Sequence, residues 1–141
     1  MVYNFDMDGT IADLYGIDDW LAKILNSNAT PYEQARPLVN MARLARALNR
    51  AQRKGHTIVI ISWLAKGGNA DYNQAVINAK QKWLKRHLPS VQWDKVLIVE
   101  YGTPKQTLSN GVLFDDEEPN RENWGAGAFK PEEMFRVLAS A

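Results

Sequence analysis

Four short apolar runs separated by amphipathic stretches set the rhythm of this chain. "VYNF" (residues 2–5) is β-prone and stops at Asp6. "HTIVIIS" (56–62) is a continuous β-branched run, the pattern of a strand covered on both faces. "KVLIVEY" (95–101) and "GVLFDD" (111–116) repeat the theme, and 125–129 predicts a short final edge strand. Between them, "PLVNMARLARALNRAQRKG" places Leu38, Met41, Leu44, Ala45 and Leu48 close to a 3.6 period and ends in basic residues and Gly55, as helix C-termini often do. "NADYNQAVINAKQKWLKRHLP" reads as a second helix that stops before Pro89. "PEEMFRVLAS" reads as a third, with Pro in the first turn and acids behind it. Strands alternating with helices predict an α/β fold: a Rossmann-like parallel sheet with helices on both faces.

Residues 14–36 break the alternation. They predict a short helix over roughly 17–26 and a Ser/Asn/Thr/Pro-rich link, "NSNATPYEQARP". Their place after the first strand makes them a very small helical cap over the carboxyl ends of the strands, where open α/β sheets bind ligands. The alternative is an ordinary connection. The expected organisation is a single domain over 1–141 with 14–36 as the cap insertion.

Composition narrows the function classes. Seventeen Lys and Arg against sixteen Asp and Glu leave a net charge of +1, so charge names no partner and no basic run argues for a nucleic-acid surface. Cysteine is absent, which excludes disulfides and thiolate metal sites and agrees with a reducing compartment. No apolar stretch approaches the roughly 18 residues of a membrane span, and no basic segment followed by an apolar one opens the sequence. The expectation is a cytoplasmic protein with no membrane partner.

The chemistry lies where the apolar runs end. Asp6 and Asp8 follow the first strand, Ser62 the second, and Asp115 with Asp116 the fourth. Parallel strands would bring all three clusters to one sheet edge. Four carboxylates there repel one another without a cation. An oxygen-only donor set selects a hard ion, of which Mg²⁺ fits best. One carboxylate beside such a metal can act as a nucleophile toward phosphorus.

"DMDGT" after an apolar strand, an apolar run ending in Ser, and "LFDDE" near the end resemble the haloacid dehalogenase-like (HAD) phosphohydrolases, in motif order and strand context across nearly the whole chain. Within that superfamily the chain is most similar to small 5′(3′)-deoxyribonucleotidase-type members of bacteria and phages. The resemblance implies Asp6 as nucleophile and Asp8 as general acid/base, with the Asp8 carbonyl also on Mg²⁺. Gly9 would permit the turn and Thr10 would support Asp8 on the substrate side. Ser62 would bind a phosphate oxygen with help from the Trp63 backbone N–H. Asp115 and Asp116 would hold the metal, Asp115 more directly. Each role answers a need of phosphoryl transfer for placement and charge neutralisation.

The family also implies a lysine that bridges nucleophile and phosphate. Lys80, Lys82 and Lys85 fall on the long predicted helix, where solvation is the default, and Lys95 opens a strand, facing away from the active edge. Lys105, in "YGTPK" after the third strand, is on the correct edge and ten residues before Asp115. It is the choice here. Trp63, Tyr15 and Trp20 would either contact a base or pack in the core. Glu117 and Glu118 suit the start of a helix.

The resemblance implies a Mg²⁺-dependent phosphatase working through an aspartyl-phosphate, on a nucleotide-like phosphomonoester. The mononucleotide ranks first, held in part by a partner subunit because so short a cap cannot enclose a large ligand. The alternatives are the phosphorylated end of DNA or RNA, and a non-catalytic HAD-like binding module.

Overall fold

The computed structural model describes residues Met1–Ala141. Seven strands follow in chain order: β1 (Val2–Phe5), β2 (Ala12–Asp13), β3 (Arg36–Pro37), β4 (Thr57–Trp63), β5 (Lys95–Val99), β6 (Val112–Phe114) and β7 (Ala128–Phe129). Six α-helices accompany them: α1 (Trp20–Leu25), α2 (Thr30–Gln34), α3 (Met41–Arg53), α4 (Ala70–His87), α5 (Glu118–Trp124) and α6 (Met134–Ala139). The main sheet is parallel throughout, in the order β5-β4-β1-β6-β7, and β2 with β3 forms a separate antiparallel ribbon. This is a Rossmann-like α/β sheet flanked by helices, with two short helices following the first strand.

Alternation along the strands sorts the core. Phe5, Ile58, Ile60 and Phe114 face one layer, where they meet Leu44 and Leu48 of α3, Trp83 and Leu84 of α4, and Met134 and Leu138 of α6. Phe5 is its centre, with its ring centroid 5.0 Å from Phe114 and 5.8 Å from Trp93. A smaller cluster of Leu14, Tyr32, Leu64, Tyr72, Val76 and Ala79 joins α4 to the segment after β1.

Register decides where the acids go. Phe5 pairs with Ile60 on one side and Phe114 on the other. Asp6 and Asp115 are thus the next residues beyond adjacent strand ends, and the Asp6 N–H still donates to the Phe114 carbonyl at 3.0 Å. β1 sits centrally, so its end looks onto clusters from both flanks.

Two expected boundaries are corrected. The link after α1 contains α2, because Pro31 occupies its first turn and Tyr32 buries beneath it. The break comes at Ser27, whose φ of 57° is left-handed. The helix expected from Pro37 begins instead at Met41, where the Asn40 side chain accepts the Arg43 N–H at 2.9 Å. Arg36 and Pro37 pair with β2. No helix is long and apolar enough to cross a membrane.

Candidate active site

The loop after β1 is folded tightly upon itself. The Met7 carbonyl accepts the N–H groups of Thr10, Ile11 and Ala12 at 3.0–3.1 Å, and Gly9 takes a φ of 81°. Any side chain at Gly9 would be strained there and would run into the Asp116 carboxylate. Gly9 is therefore what lets the first and last acidic clusters close on each other.

Thr10 fastens that closure. Its buried hydroxyl lies 3.1 Å from Asp6 Oδ2 and 3.2 Å from Asp116 Oδ1. The expectation that Thr10 supports Asp8 on the substrate side is corrected: it joins Asp6 to Asp116, and it is fully buried.

Two buried ammonium groups divide the carboxylates between them. Lys105 stands in a single 3₁₀ turn (Lys105–Thr107) after β5 and donates to Asp6 Oδ1 at 2.9 Å and Asp115 Oδ2 at 2.8 Å. Burial pulls its pKa down, but the Asp6 and Asp115 carboxylates outweigh this and hold it above the ordinary lysine value. Lys80, in the middle of α4, is fully buried. Its Nζ donates to Asp8 Oδ2 at 3.0 Å, Ser62 Oγ at 2.7 Å and the Trp63 carbonyl at 2.7 Å.

The solvated position expected for Lys80 is thus corrected. The sequence carried a signal: Lys80 is four residues after Val76 and four before Leu84, in phase with the buried face of α4. A lysine in that phase buries only where acceptors await it, and β4 and Asp8 supply all three. Lys82 and Lys85, out of phase, are exposed, as is Lys95.

The acids separate by environment. Asp6, Asp115 and Asp116 each offer an oxygen, all within 4.8 Å of one another. Burial and then Asp6 raise the Asp115 pKa, against the opposing pull of Lys105. Burial, the Asp6 charge and a hydrogen bond to Asp6 push Asp116 up to about 8. Such crowding is what a hard divalent cation relieves, and the donors are all oxygen. Of the adjacent pair, Asp115 already accepts from Lys105, from Asn120 Nδ2 at 3.1 Å and from the Glu117 N–H at 2.9 Å. Asp116 meets only the Thr10 hydroxyl and Asp6, so its carboxylate has fewer partners than that of Asp115. The Asp8 carboxylate turns to Lys80, outside the trio.

Asn120 and Arg121 went unnoticed in the sequence. Arg121 Nη1 donates to the Asp115 carbonyl at 3.0 Å, so both residues hold Asp115 from the first turns of α5. Their only signal is that they closely follow the acidic pair. Glu117 and Glu118 do open that helix.

A cavity of about 640 Å³ opens above these groups. Asp6, Asp8 and Lys105 form its floor; Leu14, Tyr15, Trp20 and Ile24 of the 14–36 segment form one wall, Trp63 and Tyr101 another. Each wall carries an aromatic pair set edge to face, with centroids 4.9 Å apart for Tyr15–Trp20 and 5.1 Å for Trp63–Tyr101. Trp63 is fixed further by its indole N–H, which donates to the Thr103 carbonyl at 2.9 Å. Ser62 is fully buried one layer below, where its hydroxyl accepts from Lys80. A second cavity of about 530 Å³, beside Leu84 and Trp93, holds no carboxylate and lies apart from this chemistry.

No protein-family model matches the sequence, and no curated protein matches it. Solved structures do. A chain of a Pnkp1/Rnl/Hen1 complex superposes with a TM-score of 0.59 at 18% identity, over 92% of this chain and 44% of that one, so this chain spans less than half of that relative. D,D-heptose 1,7-bisphosphate phosphatase from Burkholderia thailandensis superposes with a TM-score of 0.55 at 15% identity, over 99% of this chain and 84% of that one. At such identities the likeness is one of fold, a Rossmann-like α/β sheet.

Proposed function

We propose that this chain is a Mg²⁺-dependent phosphohydrolase that cleaves a phosphomonoester through an aspartyl-phosphate on Asp6. The observation that carries the reading is Asp6 itself. It is a nearly buried carboxylate on the cavity floor, oriented through both oxygens by Lys105 and Thr10 beside two further acids. A carboxylate so fixed is prepared to attack rather than to be solvated. The likeness of fold to a named sugar bisphosphate phosphatase supports it.

The contacts support the following roles. An Asp6 oxygen forms a bond to phosphorus as the ester P–O bond breaks, and Asp8 supplies the proton to the departing oxygen. Water then attacks the phosphorus of the acyl phosphate, Asp8 takes its proton, and phosphate leaves with the Asp6 carboxylate restored. Lys105 offsets the charge on Asp6 and on the incoming phosphoryl group. Lys80 aims Asp8 and ties it to the end of β4. Bound Mg²⁺, on Asp6, Asp116 and the Asp8 carbonyl with Asp115 in support, would neutralise phosphoryl oxygens.

The cavity supports a nucleotide as the ester, because two aromatic pairs lining it above an acidic floor suit a flat base attached to a phosphate. The test is phosphate release with Mg²⁺ from 5′ and 3′ nucleoside monophosphates and from end-phosphorylated oligonucleotides. Turnover is expected for the wild type and a loss of at least about a thousandfold for Asp6→Asn with the fold intact. Retained turnover in that variant would remove Asp6 as nucleophile.

A further inference from the structure

The near-neutral total charge conceals a one-sided distribution. From Gln34 to Ala70 there is no Asp or Glu, while Arg36, Arg43, Arg46, Arg50, Arg53, Lys54 and Lys66 all carry positive charge. Four of these, Arg43, Arg46, Arg50 and Arg53, recur at intervals of three and four along α3, which places them on one stripe of the helix. All four are exposed, and none forms an ion pair, since the salt bridges of the molecule are Lys80–Asp8, Lys105–Asp6, Lys105–Asp115 and Arg136–Glu133.

The neighbours do not neutralise the stripe. α6, which packs on α3, contains no acid, and Glu133 in the turn before it is paired with Arg136. Asp94, near the other flank, accepts the Ile58 N–H and the Gln52 amide. Arg43 is held by the Phe135 ring, 4.0 Å beneath its guanidinium.

Like charges three and four residues apart repel, and a helix face that is merely solvated usually alternates sign. This face carries a standing electrostatic cost. Its cations are all arginine in this run, the side chain whose planar fork matches phosphate oxygens. The stripe is about 15 Å long at 1.5 Å per residue. Each of its four guanidinium groups can meet one phosphate of a nucleic-acid strand. No large apolar side chain stands among the arginines to enter a membrane surface. α3 also begins at the active edge, just after β3, and runs back along the sheet to the start of β4.

We infer that the α3 arginine stripe docks the sugar–phosphate backbone of a nucleic-acid strand, whose phosphorylated end enters the acidic cavity. This names the substrate class of the proposed phosphatase and to that extent rests on that reading. The docking itself is measured without turnover.

The experiment is fluorescence anisotropy of a short, 5′-phosphorylated, single-stranded DNA on the Asp6→Asn chain over a salt series. With four phosphate contacts the log–log salt slope is expected near −3, about 0.7 per contact. The triple variant Arg46→Gln/Arg50→Gln/Arg53→Gln should bring the slope to about −1 and weaken binding roughly a hundredfold at 0.1 M salt. The matched variant Lys82→Gln/Lys85→Gln/Arg86→Gln on α4 removes the same charge from another surface and should leave the slope unchanged. Equal losses in both variants would overturn the inference, as would absence of binding at low salt. Arginine-dependent binding to phosphatidylserine vesicles without oligonucleotide binding would overturn it too. Binding that persists while the wild type releases no phosphate from any substrate would sink the phosphatase reading and leave the docking surface standing. Turnover of mononucleotides without oligonucleotide binding would do the reverse.

Discussion

Asp6 and Asp8 are two residues apart and yet belong to different electrostatic circuits. Asp6 shares Lys105 with Asp115, whereas Asp8 shares Lys80 with Ser62 and the end of β4. Lys80 touches neither Asp6 nor the acidic trio, so its influence on chemistry passes through Asp8. Lys80→Met keeps much of the volume and removes the three hydrogen bonds. For a leaving alcohol that needs a proton, the first chemical step should slow by roughly a hundredfold, the scale of general acid catalysis. For p-nitrophenyl phosphate, whose leaving group departs without a proton, the same step should slow far less. Burst kinetics on the two substrates separate these cases, and equal losses would mean that Lys80 only supports the fold.

Much of the site was legible from single residues, and the exceptions share a cause. Asp6, Asp8, Ser62, Asp115 and Asp116 stand where apolar runs stop, so strand ends alone brought them together. The charge of Lys80 points to solvent, whereas its helical phase points to the core, and the phase prevails. Thr10 meets Asp6 and Asp116 rather than Asp8, because the tight turn at Gly9 swings the first loop toward Asp116. A contact made across 106 residues has no local signature.

Among the elements, α4 bears the largest share, since it both fills the core with Trp83 and presents Lys80. Its first turn is closed by Asn69, whose side chain accepts the Tyr72 N–H at 2.8 Å. Asn69→Ala should cost about 1 kcal/mol in denaturant unfolding, the typical value of an N-cap. At the other end His87 stacks on Trp83, with centroids 4.5 Å apart. Burial first, and the Arg86 charge second, lower its pKa below 6.5. The folded chain therefore takes this proton only at a lower pH than the unfolded chain does. His87 favours folding fully above pH 6.5, and this contribution is lost as pH falls through its folded value. With only two histidines in the chain, imidazole NMR titration can read it directly. A midpoint above 6.5 would contradict the assignment. The long elements were plain in the sequence from their periodicity. β2, β3 and α2 were not, because two-residue strands and a five-residue helix are too short to show a period.

For the molecule as a whole, the acidic trio predicts a stability that depends on metal. A ligand that binds only the folded state at a hundred times its Kd adds about 2.7 kcal/mol. Saturating Mg²⁺ should therefore raise the melting temperature of the wild type by several degrees, and EDTA should reverse the shift. Asp116→Asn should abolish most of it, whereas a variant away from the trio, such as Asn69→Ala, should keep it. An equal Mg²⁺ shift in Asp116→Asn would exclude Asp116 as a ligand.

The two buried lysines carry a consequence for the order in which partners arrive. Four carboxylates converge at the sheet edge against two ammonium groups, which leaves two formal negative charges when all are ionised and one while Asp116, pushed up to about 8, keeps its proton. A phosphate dianion approaching that surface alone meets a field of its own sign in a half-enclosed cavity, where screening by water is reduced. A divalent cation brings the balance to neutrality. Encounter would thus be ordered, with the cation as an entry permit for the anion, and the free chain would be protected from idle occupation by the phosphate pool of its surroundings.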